Sequence, residues 1–335
     1  MRTANRRVLL ARVPTGLPTP ADFKLDTAPI PEPLEGEFLC RTLWLSLDPY
    51  YRNVMKGHPL YGEVLRPGEV MIGETVAQVV VSRLAGYAPG DYIVGRNGWQ
   101  EFALSKGEGV CKLPQEDLPL SAWLGVLGMP GLTGYAGMLE LGGPEPGETV
   151  VVSAATGPVG STAGQVARLA GARVIGIAGS AEKCDYAVHE LGYAACINYR
   201  AQDLRDALEK ACPDRIHVYF DNVGGETLNA VFTRLARGAR IILCGMIGAY
   251  SMETPPAGPW LGPVVAARAH LQGLVVYDHL HRQSEQVRAV SAWIRAGHFK
   301  WKEDVSVGLE RAPEAFCRLM RGENFGKALV RIDPG

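Results

Sequence analysis

From about residue 147 onwards, short apolar runs alternate with stretches of helical periodicity, and this alternation restricts the possible fold more than any other feature of the chain. The predicted strands are residues 149–153, 173–178, 195–198, 216–221, 240–244 and 272–277. The predicted helices among them are residues 161–170, 182–191, 227–236 and 284–296. Six strands alternating with helices are typical of a doubly wound parallel sheet of the Rossmann type, so the sequence predicts an α/β fold.

The residues before this region have a different pattern, in which Gly and Pro interrupt short apolar runs such as 37–44 and 73–81. Short strands at such spacing predict a β-barrel-like domain. The tail over residues 300–332 returns to the same pattern. We therefore predict a catalytic domain over residues 1–126, a nucleotide-binding domain over 127–299, and a tail over 300–335 that returns to the first domain.

Composition excludes several classes of partner. The net charge of −1 argues against nucleic acid or an anionic membrane as the main partner. No apolar run approaches the roughly 18 residues of a membrane span. The seven cysteines are scattered and form no Cys-x-x-Cys pair, which favours reduced thiols and a cytoplasmic protein.

A glycine turn, Ala154-Ala-Thr-Gly157-Pro-Val-Gly160, lies between the first predicted strand and the first predicted helix. That context is the one in which such a turn binds a dinucleotide. Gly157 would let the backbone approach the pyrophosphate, and Gly160 would allow close packing of helix on strand. The helix N-terminus adds amides and the positive end of a dipole.

The end of the second strand distinguishes NADP from NAD. An NAD site usually has Asp or Glu there, whereas this chain reads Ile177-Ala-Gly-Ser180. Lys183 follows within one helical turn, and Tyr199 ends the third strand. A hydroxyl, an ammonium and a phenol suit a 2′-phosphate, so NADP(H) is the predicted cofactor. The alternative for Lys183 is an ordinary solvated helix lysine.

No metal site is predicted, because the histidines and cysteines lack the spacing of zinc ligands; His279-x-His281 is the only close pair. No Gly-x-Ser-x-Gly sequence or cysteine nucleophile context occurs either. Hydride chemistry with a bound cofactor is the reaction class that remains.

Several motifs then occur in a fixed order along nearly the whole chain. They are Leu45-Ser-Leu-Asp-Pro-Tyr-Tyr-Arg52, Gly128-Met-Pro-Gly-Leu-Thr-Gly-Tyr135, the 154–160 turn, Gly179-Ser-Ala-Glu-Lys183, Asn198-Tyr199, Phe220-Asp-Asn-Val-Gly-Gly225, Cys244-Gly-Met-Ile-Gly-Ala-Tyr250, Gly273-Leu-Val-Val-Tyr277 and Gly322-Glu-Asn-Phe-Gly-Lys327. In this combination the chain resembles the zinc-free medium-chain dehydrogenase/reductases, specifically the prostaglandin reductase and leukotriene hydroxydehydrogenase group.

The resemblance implies a GroES-like catalytic domain beside the Rossmann domain, a homodimer, and NADPH-dependent reduction of the C=C bond of α,β-unsaturated carbonyls. Zinc-dependent relatives carry a Cys in the region of residues 47–49 and Gly-His-Glu where this chain has Gly73-Glu-Thr75, which agrees with a metal-free site. The cofactor contacts implied are Gly157, Pro158, Val159, Gly160, Gly179, Ser180, Lys183, Tyr199, Asn222, Cys244, Gly245, Met246, Ile247, Tyr250, Leu274, Val275, Val276 and Asn324. Residues 221–225 can equally be read as a strand-to-helix turn, and the two roles are compatible.

By the same resemblance, Tyr250 is the expected donor to the carbonyl oxygen of the substrate. For Tyr50 and Tyr51, two roles are compatible with the sequence: lining the substrate side or packing beside the barrel. The proline-rich segment 254–263 is compatible with a pocket wall, a surface connection or a subunit contact. A quinone reductase of the same superfamily and a non-catalytic NADPH-binding protein are the alternatives for function.

Overall fold

The chain forms two compact units, and the second is inserted into the first. The computed structural model describes residues 4–56, 64–114, 117–254 and 256–332, so Pro255 of the proline-rich segment lies outside the described residues. One unit is Met1–Leu124 together with Glu303–Gly335, and the other is Gly125–Lys302.

The N-terminal part of the first unit consists of strands. They are β1 (Ala4–Leu10), β2 (Phe23–Pro29), β3 (Phe38–Ser46), β4 (Thr75–Ser82), β5 (Tyr92–Gly95), β6 (Phe102–Ser105) and β7 (Cys111–Lys112). A short helix, α1 (Tyr51–Val54), follows β3. Alternate residues of β3, β4, β5 and β6 meet in a buried core that includes Phe38, Val79 and Ile93, as the period of two in a strand requires.

The inserted unit contains a six-stranded parallel sheet. Its strands are β8 (Thr149–Ser153), β9 (Arg173–Ala178), β10 (Ala195–Asn198), β11 (Ile216–Asp221), β12 (Leu235–Leu243) and β13 (His270–Gly273), and its helices are α2 (Met129–Ala136), α3 (Pro158–Leu169), α4 (Ala181–His189), α5 (Leu204–Ala211), α6 (Gly225–Phe232), α7 (Gly262–Ala267) and α8 (Gln283–Arg295). The spatial order is β10-β9-β8-β11-β12-β13, and all five pairings are parallel. This is the doubly wound order of a Rossmann sheet, and the fold prediction is confirmed.

Four of the six strands have the predicted bounds, and the last two differ. The fifth begins at Leu235 instead of residue 240, because the chain bulges between two stretches that both pair with β11. The sixth ends at Gly273, and the chain from Val276 to Arg282 forms a 3₁₀-helix where strand was predicted up to residue 277.

Helix α5 was not predicted, although Asp203 marks its start by accepting hydrogen bonds from the amides of Arg205 (2.9 Å) and Asp206 (3.0 Å).

The returning segment completes the first unit. It contributes β14 (Glu303–Val307), α9 (Ala312–Met320) and β15 (Lys327–Arg331), giving a sheet of order β14-β15-β3-β4-β5-β7 with β6 also paired to β3. Phe316 of α9 packs against Tyr51 and Trp99, with ring centroids 6.3 and 5.7 Å apart. Both sheet pairing and aromatic packing therefore bind the tail to the N-terminal strands.

Candidate active site

The carboxyl ends of the parallel strands bring most of the predicted cofactor residues to one edge of the sheet. The segments that follow the strands are the 154–160 turn, 179–183, Tyr199, Asn222, 244–250 and 274–276. In open α/β sheets this edge, at the point where the strand order reverses, is where ligands bind. Here the reversal lies between β8 and β11.

The glycine turn forms the tight connection that the sequence predicts. Gly157 is the N-cap of α3, and Pro158 has no N–H, so the first-turn amides of Val159 and Gly160 are the donors directed out of the helix end. A Cβ on Gly160 would lie 2.4 Å from the carbonyl oxygen of Ala154. Ala154 itself has a φ of 48°, in the left-handed region that favours glycine. Alanine at the first position of the turn is therefore strained, whereas glycine at the last is required.

We expect Gly160→Ala to lower the free energy of unfolding by about 2 kcal/mol, since the added methyl collides with backbone that cannot rotate away. Ala154→Gly in the same turn is expected to raise it by about 1 kcal/mol through relief of the left-handed strain. Thermal unfolding of both variants measures the difference. Gly258→Ala is the control, because a Cβ there meets nothing within 4 Å; equal stability of the two alanine variants would contradict the prediction.

The residues at the end of β9 form a polar cluster with those that follow β10. The Ser180 hydroxyl accepts a hydrogen bond from the backbone amide of Lys183 at 3.2 Å and so caps α4. A Cβ on Gly179 would lie 3.2 Å from the hydroxyl of Tyr199 and 3.4 Å from Nε of Arg200. The Arg200 guanidinium carbon lies 5.8 Å from the centre of the Tyr199 ring. Sequence reasoning missed Arg200, although a basic residue directly after the Asn198-Tyr199 motif was a usable signal.

A buried network joins the ends of β8 and β11. The amide Nδ2 of Asn222 donates to the Ser153 carbonyl at 2.7 Å, and its backbone N–H donates to the Ser153 hydroxyl at 2.8 Å. Asp221 Oδ1 accepts from the hydroxyls of Tyr219 (2.8 Å) and Ser153 (3.1 Å) and from the amides of Val223 and Gly224, both at 3.0 Å. Asn222 thus holds the two strands together at the reversal point, and its contact with the cofactor stays a prediction. Asp221 holds the turn after β11 by accepting hydrogen bonds from the Val223 and Gly224 amides. The sequence analysis had given Asp221 no role.

The 244–250 loop follows β12. Burial, together with the charge of Asp221, raises the pKa of the Cys244 thiol to about 12, so it stays protonated at neutral pH. The Tyr250 hydroxyl accepts a hydrogen bond from the backbone amide of Met246 at 3.2 Å. A Cβ on Gly245 would lie 3.4 Å from that hydroxyl. The phenol of Tyr250 therefore folds back over the Gly245–Met246 turn.

Residues 274 and 275, which follow β13, differ in how far they are exposed to solvent. Leu274 is buried, and its side chain lies so close to Gly137 that a Cβ there would be 2.5 Å from Leu274 Cδ2. Val275 is exposed, and Val276 begins the 3₁₀-helix.

In the other unit, Tyr51 is fully buried and Tyr50 is partly exposed against it, with ring centroids 4.6 Å apart. The Tyr51 hydroxyl donates to Asp48 Oδ2 at 3.2 Å, which makes Tyr51 a packed, hydrogen-bonded residue.

Asp48 Oδ1 is 2.7 Å from the ammonium of Lys327, and both residues are buried. The Asn324 side chain donates to the Gly326 carbonyl at 2.8 Å. Asp48 and Lys327 stand in motifs that the sequence analysis quoted without assigning them a role.

Among the residues that the structure describes, no three His, Cys, Asp or Glu side chains are grouped so that they could hold a metal ion. His279 and His281 both contact the Glu140 carboxylate, and Arg282 Nη1 lies 3.2 Å from Oε1 of the same carboxylate. A metal-free site stays a prediction that metal analysis of the purified protein tests. Within the described ranges, no helix is both long and apolar enough to cross a membrane.

A Rossmann sheet with a glycine turn at its reversal point, inserted into a β-rich unit, defines a dinucleotide-dependent oxidoreductase as the class of protein. Comparison with known proteins agrees with this class of protein. Residues 6–113 match a family model described as the N-terminal domain of oxidoreductase, and residues 158–296 match one described as zinc-binding dehydrogenase.

Individual relatives extend over almost the entire chain. The NADPH-dependent curcumin reductase of Escherichia coli (strain K12) is 43% identical, covering 98% of this chain and 97% of its own. A 2-alkenal reductase (NADP(+)-dependent) of Nicotiana tabacum is 38% identical, covering 98% of each. The crystal structure of CurA in complex with NADPH from Vibrio vulnificus superposes with a TM-score of 0.94 at 42% identity, covering 98% of this chain and all of that one. The chain therefore belongs to the medium-chain dehydrogenase/reductase family, in the group that contains the curcumin and 2-alkenal reductases.

Proposed function

We propose that this protein is an NADPH-dependent reductase of the C=C bond of α,β-unsaturated carbonyls. The observation that carries the proposal is the position of Tyr250, whose hydroxyl sits at the carboxyl edge of the sheet, anchored by the Met246 amide. The relatives support it, because one is named for NADPH and curcumin and the other for NADP(+) and 2-alkenals, and both of these substrates contain a conjugated C=C bond.

The described residues fit NADPH. The amides of Val159 and Gly160 at the start of α3 suit the pyrophosphate, and Gly157, which has no side chain, lets the backbone approach it closely. Ser180, Lys183, Tyr199 and Arg200 suit the 2′-phosphate, since they combine two cations with two hydroxyls and no carboxylate ends β9. When bound, NADPH supplies the hydride that the β-carbon of the substrate receives.

Tyr250 then stabilises the negative charge that develops on the carbonyl oxygen. The Met246 amide donates to the phenol oxygen and so fixes its position, and a phenol is able to act as a hydrogen-bond donor. A donor held in place before the reaction stabilises the transition state without reorganisation. Tyr50, whose role in the reaction stays a proposal, is partly exposed and packs on the buried Tyr51.

A cofactor-consumption assay tests the function directly. The purified protein is supplied with NADPH or NADH and with a panel of enals, enones and quinones. We expect turnover of enals and enones with NADPH, and product analysis should show a saturated carbonyl compound. Turnover of quinones alone would identify a quinone reductase, and tight NADPH binding without any turnover would identify a binding protein.

Lys183→Ala is expected to raise the Kd for NADPH about tenfold or more and to leave that for NADH unchanged, because a charge-assisted hydrogen bond to phosphate contributes about 1.5–3 kcal/mol. Binding titrations with both nucleotides measure the change. Lys210→Ala is the control, as Lys210 lies exposed on α5 of the same unit. Equal losses for NADPH and NADH would contradict a 2′-phosphate contact.

A second copy of the chain is proposed to pair along β13. This strand is the last of the sheet, and all four of its residues are exposed. Leu271→Lys should place a charge on that edge and convert a dimer to a monomer in light scattering after gel filtration. Leu25→Lys, an exposed site on β2, is the control; a Leu271→Lys variant that remains dimeric would exclude this edge.

The compartment proposed is the cytoplasm. All seven cysteines are free thiols in the structure, as a reducing environment would keep them.

A further inference from the structure

One buried carboxylate organises the turn that follows β11. Asp221 ends that strand and is fully buried. Its Oδ1 accepts hydrogen bonds from the backbone amides of Val223 and Gly224, both at 3.0 Å, and so closes residues 222–224 into a turn. A hydroxyl from β11 and another from β8 donate to the same oxygen at 2.8 and 3.1 Å and hold it in place. The shape of the 222–224 turn therefore depends on the Asp221 side chain.

The backbone carbonyls of Asp221 and of the 222–224 turn hold the 244–250 loop, which follows β12. They accept four hydrogen bonds from loop amides, which are Cys244 to Asp221 (2.9 Å), Gly245 to Asp221 (3.0 Å), Ile247 to Asn222 (3.3 Å) and Gly248 to Val223 (3.1 Å). A loop bonded at four points to one turn follows a movement of that turn, because separation would leave these amides without their acceptors.

Two glycines let the turn and the loop lie in direct contact. A Cβ on Gly245 would lie 3.0 Å from the Asn222 carbonyl oxygen. A Cβ on Gly248 would lie 3.1 Å from the Val223 carbonyl oxygen. Packing this close transmits a shift of either segment to the other, since no free space remains between them to absorb it.

The loop in turn fixes the phenol of Tyr250. The Met246 amide donates to the Tyr250 hydroxyl at 3.2 Å, and the amides of both residues next to Met246 are among the four that the end of β11 and the turn accept. A continuous path of contacts therefore runs from the Asp221 carboxylate through the turn and the loop to the Tyr250 hydroxyl. Every residue on this path belongs to the inserted unit.

We propose that Asp221 is a positioning residue for the reduction, an inference that rests on the proposed function. Through the turn and the loop, Asp221 holds the Tyr250 phenol at the carboxyl edge of the sheet before substrate binds. A donor fixed in advance stabilises the developing oxyanion without reorganisation, so the accuracy of its placement contributes to the rate. Asp221 itself needs no contact with the substrate or the cofactor.

The test is a double-mutant cycle on kcat, measured at saturating NADPH with an enone that the wild-type protein reduces. Asp221→Ala leaves the amides of Val223 and Gly224 without their acceptor, and it should lower kcat about tenfold or more, because a small misplacement of a catalytic group slows the reaction steeply. In a Tyr250→Phe background the same substitution should lower kcat by less than about twofold, since the hydroxyl that it displaces is already absent. Equal factors in the two backgrounds would overturn the proposal.

Asp221→Asn is the matched conservative variant. Its amide oxygen can accept the same bonds as Oδ1, and its nitrogen replaces Oδ2, which has no hydrogen-bond partner among the described residues. It should therefore keep most of the wild-type kcat. If it lost as much as Asp221→Ala, the negative charge and not the hydrogen bonds would be required, and the positioning role would be wrong. Tyr219→Phe removes one donor to Oδ1, leaves the turn amides bonded and should match the wild type.

Gly248→Ala tests the same path at the contact between loop and turn. The added methyl should push the loop away from the Val223 carbonyl, so kcat should fall in the wild-type background and stay unchanged in the Tyr250→Phe background. This variant leaves the buried carboxylate intact, so it serves as the test if Asp221→Ala does not fold. Equal losses in the two backgrounds would contradict the path.

Hydrogen exchange of the backbone amides supplies a readout that needs no turnover. The amides of residues 244–248 should exchange faster in Asp221→Ala than in the wild type, whereas Asp221→Asn and Tyr219→Phe should match the wild type. Unchanged exchange in a folded Asp221→Ala variant would overturn the positioning role. A wild-type protein inactive on every enone would instead refute the proposed function, and the exchange rates would then decide the positioning role alone.

Discussion

Lys327→Met is expected to lower the free energy of unfolding by about 3–5 kcal/mol, the usual cost of removing one partner from a buried ion pair. Both Lys327 and Asp48 are less than 5% exposed. The ammonium donates to Asp48 at 2.7 Å and to the Leu47 carbonyl at 2.8 Å, so its loss leaves a buried carboxylate without its counter-ion. Thermal and denaturant unfolding of the variant measure the loss.

Two controls separate burial from charge. Lys300→Met removes an ion pair with Glu190 at 2.6 Å in which both side chains are about half exposed, and it should cost no more than about 1 kcal/mol. The double variant Lys327→Met/Asp48→Asn removes the unpaired charge as well and should recover part of the loss. If Lys327→Met were no more harmful than Lys300→Met, the pair would not stabilise the unit as described.

Tyr250→Phe is expected to reduce kcat about 100-fold, which is the lower range for losing one donor to a developing oxyanion. The ring stays, so the Kd for NADPH and the KM for a good enone should change little. The Met246 amide loses its acceptor, which destabilises the turn by about 1 kcal/mol. Steady-state kinetics and nucleotide titration on the same preparation distinguish the two effects.

Tyr135→Phe is the matched control for this experiment. Tyr135 lies in the same unit and is buried, and its hydroxyl donates to Glu285 at 2.7 Å. It should therefore lose a hydrogen bond of similar strength and keep its turnover. Full activity of Tyr250→Phe would remove the assignment of Tyr250 as the oxyanion donor.

The nucleotide-binding unit was largely predictable because its signals are local. Apolar runs such as residues 149–153 and 173–178 are buried along their whole length in a parallel sheet, so the runs and the strands coincide apart from the exposed Arg173. The glycine turn between β8 and α3 is likewise defined by a few consecutive residues. The last strand was extended too far, because a short apolar run such as 274–276 has the same composition in an edge strand as in a 3₁₀-helix.

The charged residues of the site were harder to predict, because their partners are distant in the sequence. Asp48 and Lys327 are 279 positions apart, and Ser153 and Asp221 are 68 apart. Arg200 is exposed, and only its closeness to Gly179 and Tyr199 distinguishes it from an ordinary surface arginine.

The Rossmann unit, its glycine turn and the family could be predicted from consecutive residues, because strand and helix periods and turn residues are local patterns. The strain at Ala154 and the pairing of Asp48 with Lys327 became evident only in the three-dimensional structure. Charge pairing and burial are properties of groups that the fold brings together. The protonation state of a carboxyl group depends on those neighbours and not on the residues beside it in the chain.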